Sequence, residues 1–124
     1  MSKRILVSDD AMFMRNMLKN ILIVEGYAVY EAANGQEAVD AYKAYTPDLV
    51  LMDLTMPVMD GITAIKHIRA GDPEARIIVC SALGQKTMVI EAIQAGARDY
   101  IVKPFEKSRV LEGVKAQIGS GKAA

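Results

Sequence analysis

Three carboxylates, one hydroxyl and one ammonium stand where this chain's pattern places reactive groups: Asp9 and Asp10, Asp53, Ser81 and Lys103. Each falls at the end of a short apolar run. The clearest run is Leu49-Val50-Leu51-Met52-Asp53, after which the chain turns at Met56-Pro57 and again at Asp60-Gly61. A continuous apolar run of this length reads as a strand buried on both faces. An ionised group at its tip sits on the carboxyl edge of a parallel sheet, where open α/β folds bind ligands. Three neighbouring carboxylates repel one another and favour a bound cation. Oxygen-only ligands select a hard cation, and Mg²⁺ suits a site that also receives phosphate oxygens. His67 is the only histidine and falls mid-helix, which argues against zinc or copper. A cation beside Asp53 and the Lys103 ammonium opposite would stabilise the charge that builds when a carboxylate attacks phosphorus. The product of that chemistry is an aspartyl phosphate.

The elements that must position these groups follow from the rest of the pattern. Apolar runs predict strands over 4–8, 27–32, 49–53, 76–80 and 98–102. Helical spacing and breakers predict helices over 11–25, 35–45, 61–70, 86–95 and 106–118. Asp10 is the expected N-cap of the first helix and Gly26 follows its end. Ile62, Ile65 and Ile68 are spaced for one buried face of the third helix. Strand then helix, five times with short connections, predicts a five-stranded parallel sheet with five helices covering both faces. In such a sheet every strand's carboxyl end lies on one edge, so the five reactive groups converge there.

The bulk properties exclude several classes. The chain has 124 residues, about one domain, and its 15 basic residues match 15 acidic ones. That balance offers no clustered basic surface for nucleic acid. One cysteine, Cys80, leaves no internal disulfide and fits a reducing compartment. No run approaches the ~18 apolar residues of a membrane span, and the first residues carry no signal-peptide pattern. The expectation is a single cytoplasmic domain with a core over 3–118 and a flexible polar tail over 119–124. No element is left with a large unexplained apolar face, so a monomer is expected.

The acidic pair Asp9-Asp10, Asp53 with Met56-Pro57 and Asp60-Gly61, Ser81-Ala82, and Tyr100 with Lys103-Pro104-Phe105 together resemble the receiver domain of two-component response regulators. Within that family the chain is similar to the single-domain chemotaxis regulators, over about residues 3 to 118. The resemblance implies a flavodoxin-like doubly wound (βα)5 fold with strand order 2-1-3-4-5. It implies that Asp53 accepts phosphate from a histidine kinase. Asp10 and Asp53 would bind Mg²⁺ directly, Asp9 through water, and the Thr55 backbone carbonyl would be a further ligand. Lys103 would contact the phosphoryl group, Ser81 would swing in to hydrogen-bond it, and Tyr100 would change rotamer in response. A cis peptide before Pro104 is implied as well. The switching face would lie on the fourth helix, fifth strand and fifth helix, with Lys86, Ile90, Tyr100 and Lys107 on it. The expected output is a protein contact, with chemotaxis signalling to a flagellar motor switch protein as the leading case. A phosphatase is a further possible partner. Two small departures stand out: Ser8 replaces the usual aliphatic residue before the acidic pair, and the switch hydroxyl is serine where threonine is commoner.

Three other readings compete. A phosphorelay intermediate would pass its phosphate on to a histidine phosphotransfer protein. A phosphohydrolase working through an aspartyl phosphate needs a second acid two residues after its nucleophile, where this chain has Thr55. A nucleotide-binding flavodoxin-like protein needs a Gly- or hydroxyl-rich loop after its first strand, where this chain has Asp9-Asp10. The residues therefore favour a signalling phosphoacceptor over a turnover enzyme.

Overall fold

The computed structural model describes residues 2–121. Ten elements alternate along the chain: β1 (Arg4–Ser8), α1 (Met12–Val24), β2 (Ala28–Ala32), α2 (Gly35–Tyr45), β3 (Leu49–Asp53), α3 (Gly61–Gly71), β4 (Ile77–Ser81), α4 (Lys86–Ala95), β5 (Asp99–Val102) and α5 (Lys107–Ile118). The strands form one parallel sheet in the order β2-β1-β3-β4-β5. The expected architecture and strand order are both observed.

Side chains alternate across each strand, and both faces of the sheet are covered. Leu6, Val50, Met52, Ile77 and Val79 face a core completed by α2, α3 and α4. Ile5, Val7, Leu49, Leu51, Ile78 and Ile101 face a second core closed by α1 and α5. Fully buried β3 and β4 explain why their sequences read as unbroken apolar runs. Cys80 lies in the second core, and burial pushes its thiol up to about 12.

Local chemistry sets the element ends. Asn34 caps α2 by accepting the Glu37 N–H, and Asp60 caps α3 by accepting the Thr63 N–H at 2.8 Å. Gly61 brings α3 against the end of β3: a Cβ there would overlap the Asp53 carbonyl oxygen, and its N–H bonds the Leu54 carbonyl at 3.0 Å. The Lys103-Pro104 peptide is cis, as the resemblance implies.

The first helix departs from expectation. Its N-cap is Ala11, with no side-chain cap, and Asp10 does not fill that role. Asp9 Oδ1 accepts the Ala11 N–H at 2.9 Å, a local turn bond of the kind Asp favours, so the chain turns at 9–11 and the helix begins after it. Asp10 is left exposed, its carboxylate gathered with Asp9 and Asp53. Ser81 belongs to β4 itself. At the far end, Tyr27 Oη donates to the Gly119 carbonyl at 2.6 Å, and Gly121 packs on the Tyr27 ring. The first residues of the expected tail are thus seated on the fold, and 122–124 lie outside the described residues.

Candidate phosphoacceptor and metal site

Asp53 ends β3, the central strand, and a hydrophobic strand carries it to the sheet's edge while keeping it 6% exposed. Asp9 follows β1, the neighbouring strand, and is 2% exposed. Lys103 follows β5 on the other side. Its Nζ lies 3.1 Å from Asp9 Oδ2 and 3.1 Å from Asp53 Oδ1. Carboxylate oxygens of Asp9, Asp10 and Asp53 all lie within 4.8 Å of one another. Three chain segments therefore meet around one small volume.

The electrostatics follow from crowding. Burial raises the Asp53 carboxyl above the ordinary carboxylate range, and the Asp9 charge adds to it, against the opposing pull of Lys103. Burial works against the Lys103 charge, but attraction to Asp53 and Asp9 outweighs it and its ammonium is held more firmly than usual. The two directions agree: one ammonium serving two carboxylates is well held, while each carboxylate receives only part of its charge. The all-oxygen donor set, short of positive charge and open through exposed Asp10, fits a hard divalent cation.

Ser81 lies one residue beyond Cys80, the register partner of Asp53, and is 2% exposed. It is thus at the rim of the cluster on the adjoining strand. Tyr100 pairs in register with Val79, deeper in the sheet, and its side chain is 46% exposed on the α4 side. Lys86, Ile90 and Lys107 are exposed. Lys86, Ile90 and Tyr100 share the wall of a cleft of about 340 Å³ that Ser81 also lines. Arg109 reaches across from α5 to the Tyr100 carbonyl at 2.6 Å and to both Asp99 carboxylate oxygens at 3.2 and 3.3 Å. Thr55 is exposed beside Asp53, and its hydroxyl accepts from the Gln85 side chain at 3.0 Å. Gln85 and Arg109 were not legible as site residues, since neither carries a spacing signal.

Ser8 is buried at the end of β1, and its hydroxyl is the buried side-chain polar atom without a hydrogen-bond partner among the described residues. Alternation explains this. Ser8 shares the face of Leu6, toward the apolar core of α2 to α4, whereas Val7 faces the other core. Its register neighbours Ala32 and Met52 offer no polar side chain.

A family model for response regulator receiver domains matches residues 5–115. The chain belongs to that family. It is 61% identical over 115 residues to the chemotaxis protein CheY of Bacillus subtilis, covering 92% of this chain and 96% of the relative. It is 62% identical over 115 residues to CheY of Thermotoga maritima, with the same coverage of 92% and 96%. Among solved structures, the CheX-CheY-BeF3-Mg complex of Borrelia burgdorferi matches with a TM-score of 0.87 and 39% identity, covering 92% of this chain and 87% of that one. The protein is therefore a response-regulator receiver closely related to CheY chemotaxis regulators. Among the described residues no helix is long and apolar enough to cross a membrane.

Proposed function

We propose that Asp53 accepts a phosphoryl group from a histidine kinase with Mg²⁺ present, and that this modification changes the face formed by α4, β5 and α5. The observation that carries this reading is the convergence of Asp9, Asp10 and Asp53 on the ammonium of Lys103. An Asp53 oxygen attacks phosphorus while the P–N bond to the donor histidine breaks, and the electron pair leaves on the imidazole. Lys103 balances the charge that gathers on the phosphoryl oxygens. A bound Mg²⁺ supplies further charge neutralisation and orients those oxygens. Asp10 and Asp53 would hold it directly, with the Thr55 carbonyl. Asp9, which also accepts from the Ala11 N–H and Lys103, would act through water, as the resemblance implies. The Mg²⁺ and BeF3 of the Borrelia complex support a cation and a phosphoryl-like group in a site of this kind.

The new group carries about −2 charge and strong acceptor oxygens at the tip of β3, in place of the single charge of the carboxylate it consumes. Ser81 donates to it once the connection after β4 moves inward. Tyr100 then turns into the cleft behind that connection. Leu83, Ile90 and Ile93 are exposed apolar residues on this side of the molecule, and a partner docks there with altered affinity. High identity to CheY proteins favours chemotaxis signalling to a flagellar motor switch protein as the output.

The test is intact mass after incubation with acetyl phosphate, with and without Mg²⁺, for wild type and Asp53→Asn. The expected result is a Mg²⁺-dependent single phosphoryl adduct on wild type and none on the variant. A wild type that takes no adduct overturns the reading.

A further inference from the structure

We propose that Gln85 is a strut between the connections that follow β3 and β4, and that activation must displace it. The proposal rests on the phosphoacceptor reading above and adds a positioning residue to it. Gln85 occupies the N-cap position of α4, yet its side chain makes no capping bond to that helix. It reaches the other way. Its Oε1 accepts the Ala82 N–H at 2.7 Å, and its Nε2 donates to Thr55 Oγ1 at 3.0 Å. One planar amide therefore stands between residue 82, next to Ser81, and residue 55, two positions after Asp53. Its width fixes how closely these two segments approach across the mouth of the site.

The surroundings allow the segment to move once the strut is gone. Ala92 is the one buried residue of α4 among its ten. A cleft of about 340 Å³ opens on its β5 side, lined in part by Ser81, Val89, Tyr100 and Val102. Another of about 370 Å³ opens on its α3 side, lined in part by Thr55, Ile62, Lys66 and Met88. Gly84, with a positive φ of 87° and open space around its Cα, gives the connection a pivot next to Gln85. An inward step of Ser81 toward a phosphoryl group on Asp53 narrows the gap that the Gln85 amide fills. The amide must leave, and its two hydrogen bonds oppose phosphorylation-linked closure.

Gln85→Met keeps the side chain's length without either bond, and Gln85→Ala removes the side chain. Two measurements test the strut. The first is hydrogen exchange at the Ala82 amide in the unphosphorylated protein, which both variants should speed up several-fold. The second is the acetyl phosphate concentration that half-phosphorylates Asp53 in Mg²⁺, which both should lower by about tenfold, the size expected for losing two modest exposed hydrogen bonds. Thr55→Val, which keeps the backbone carbonyl and removes one of the two bonds, should lower it by about threefold and add little when combined with Gln85→Met. Unchanged Ala82 exchange, or an adduct formed at the same half-phosphorylating concentration in wild type and Gln85→Met, overturns the strut alone. A wild type that forms no adduct overturns the phosphoacceptor reading and the strut with it.

Discussion

Lys103 Nζ lies 3.1 Å from Asp53 Oδ1, although fifty residues separate the two along the chain. The same ammonium holds Asp9, so it is the counter-charge of two buried carboxylates. Lys103→Met leaves both unpaired. It should lower stability without metal by about 3 kcal/mol, since breaking a buried ion pair strands its partner. Added Mg²⁺ should restore part of that loss by taking over the neutralising role. Phosphorylation by acetyl phosphate should slow by about a hundredfold. Urea melts with and without Mg²⁺ check the first two expectations, and an equal midpoint for variant and wild type would contradict them.

Ser8 buries a hydroxyl that nothing accepts from or donates to among the described residues. Ser8→Ala removes the unpaired group at the cost of a very small void. Stability should rise by about 1 kcal/mol, against the usual trend for core truncation. Denaturant unfolding decides it, and a loss of stability would mean the hydroxyl has a partner in solution.

Tyr42 Oη donates to Asp72 Oδ2 at 2.6 Å across the gap between α2 and α3. Tyr42 is buried and its hydroxyl is raised well above the ordinary phenol range, first by burial and then by this bond to a carboxylate. The same bond is the main reason the Asp72 carboxyl is lowered. Tyr42→Phe should cost about 1 kcal/mol near neutral pH. The pH dependence follows from the two directions. A tyrosine whose pKa is raised by folding contributes stability that is complete below about pH 10 and is lost as pH rises toward its folded value. A carboxyl lowered by folding contributes stability present above about pH 4 and lost as pH falls. The gap between wild type and Tyr42→Phe should therefore be widest near neutrality and narrow at both extremes. A constant gap across the range would exclude the linkage.

Gly61 admits no side chain, because a Cβ would overlap the Asp53 carbonyl oxygen at the junction of β3 and α3. Gly61→Ala should destabilise by about 2 kcal/mol through overpacking. It should also weaken Mg²⁺ binding, because the backbone that must yield carries Asp53. Mg²⁺ titration followed by thermal melting measures both, and wild-type values for each would show that α3 can step back without disturbing the strand.

Much of this arrangement is legible in the chain itself, for physical reasons. A strand buried on both faces has to be apolar throughout, so β3 announces itself and Asp53 stands out at its tip. Parallel topology then puts every strand end on one edge, which brings Asp9 and Lys103 to Asp53 without any knowledge of distance. What the pattern misses depends on short-range competition. Asp10 looked like the cap of α1, but the helix begins one residue later, with Ala11 at its N-cap, and the Asp10 carboxylate joins the acidic cluster. Gln85 is invisible in the same way: a glutamine before a helix has no fixed partner until the loops around residues 55 and 82 have their shapes. Tyr100 is put on the switching face by the resemblance alone: nothing in its spacing says that β5 is an edge strand or that this residue is 46% exposed.

The bonds that define the acidic cluster join residues 50 and 94 positions apart, drawn from β1, β3 and the end of β5. No local fragment of the chain contains them. A nascent, nicked or partly unfolded molecule has an aspartate at position 53 but lacks the ammonium and the companion carboxylates that surround it in the folded chain. The chemistry is thereby conditional on the integrity of the sheet. On the proposed phosphoacceptor function, a signalling pool built from such molecules would be self-censoring: damaged copies would fall silent, and the phosphorylated fraction would count only those that have completed the fold.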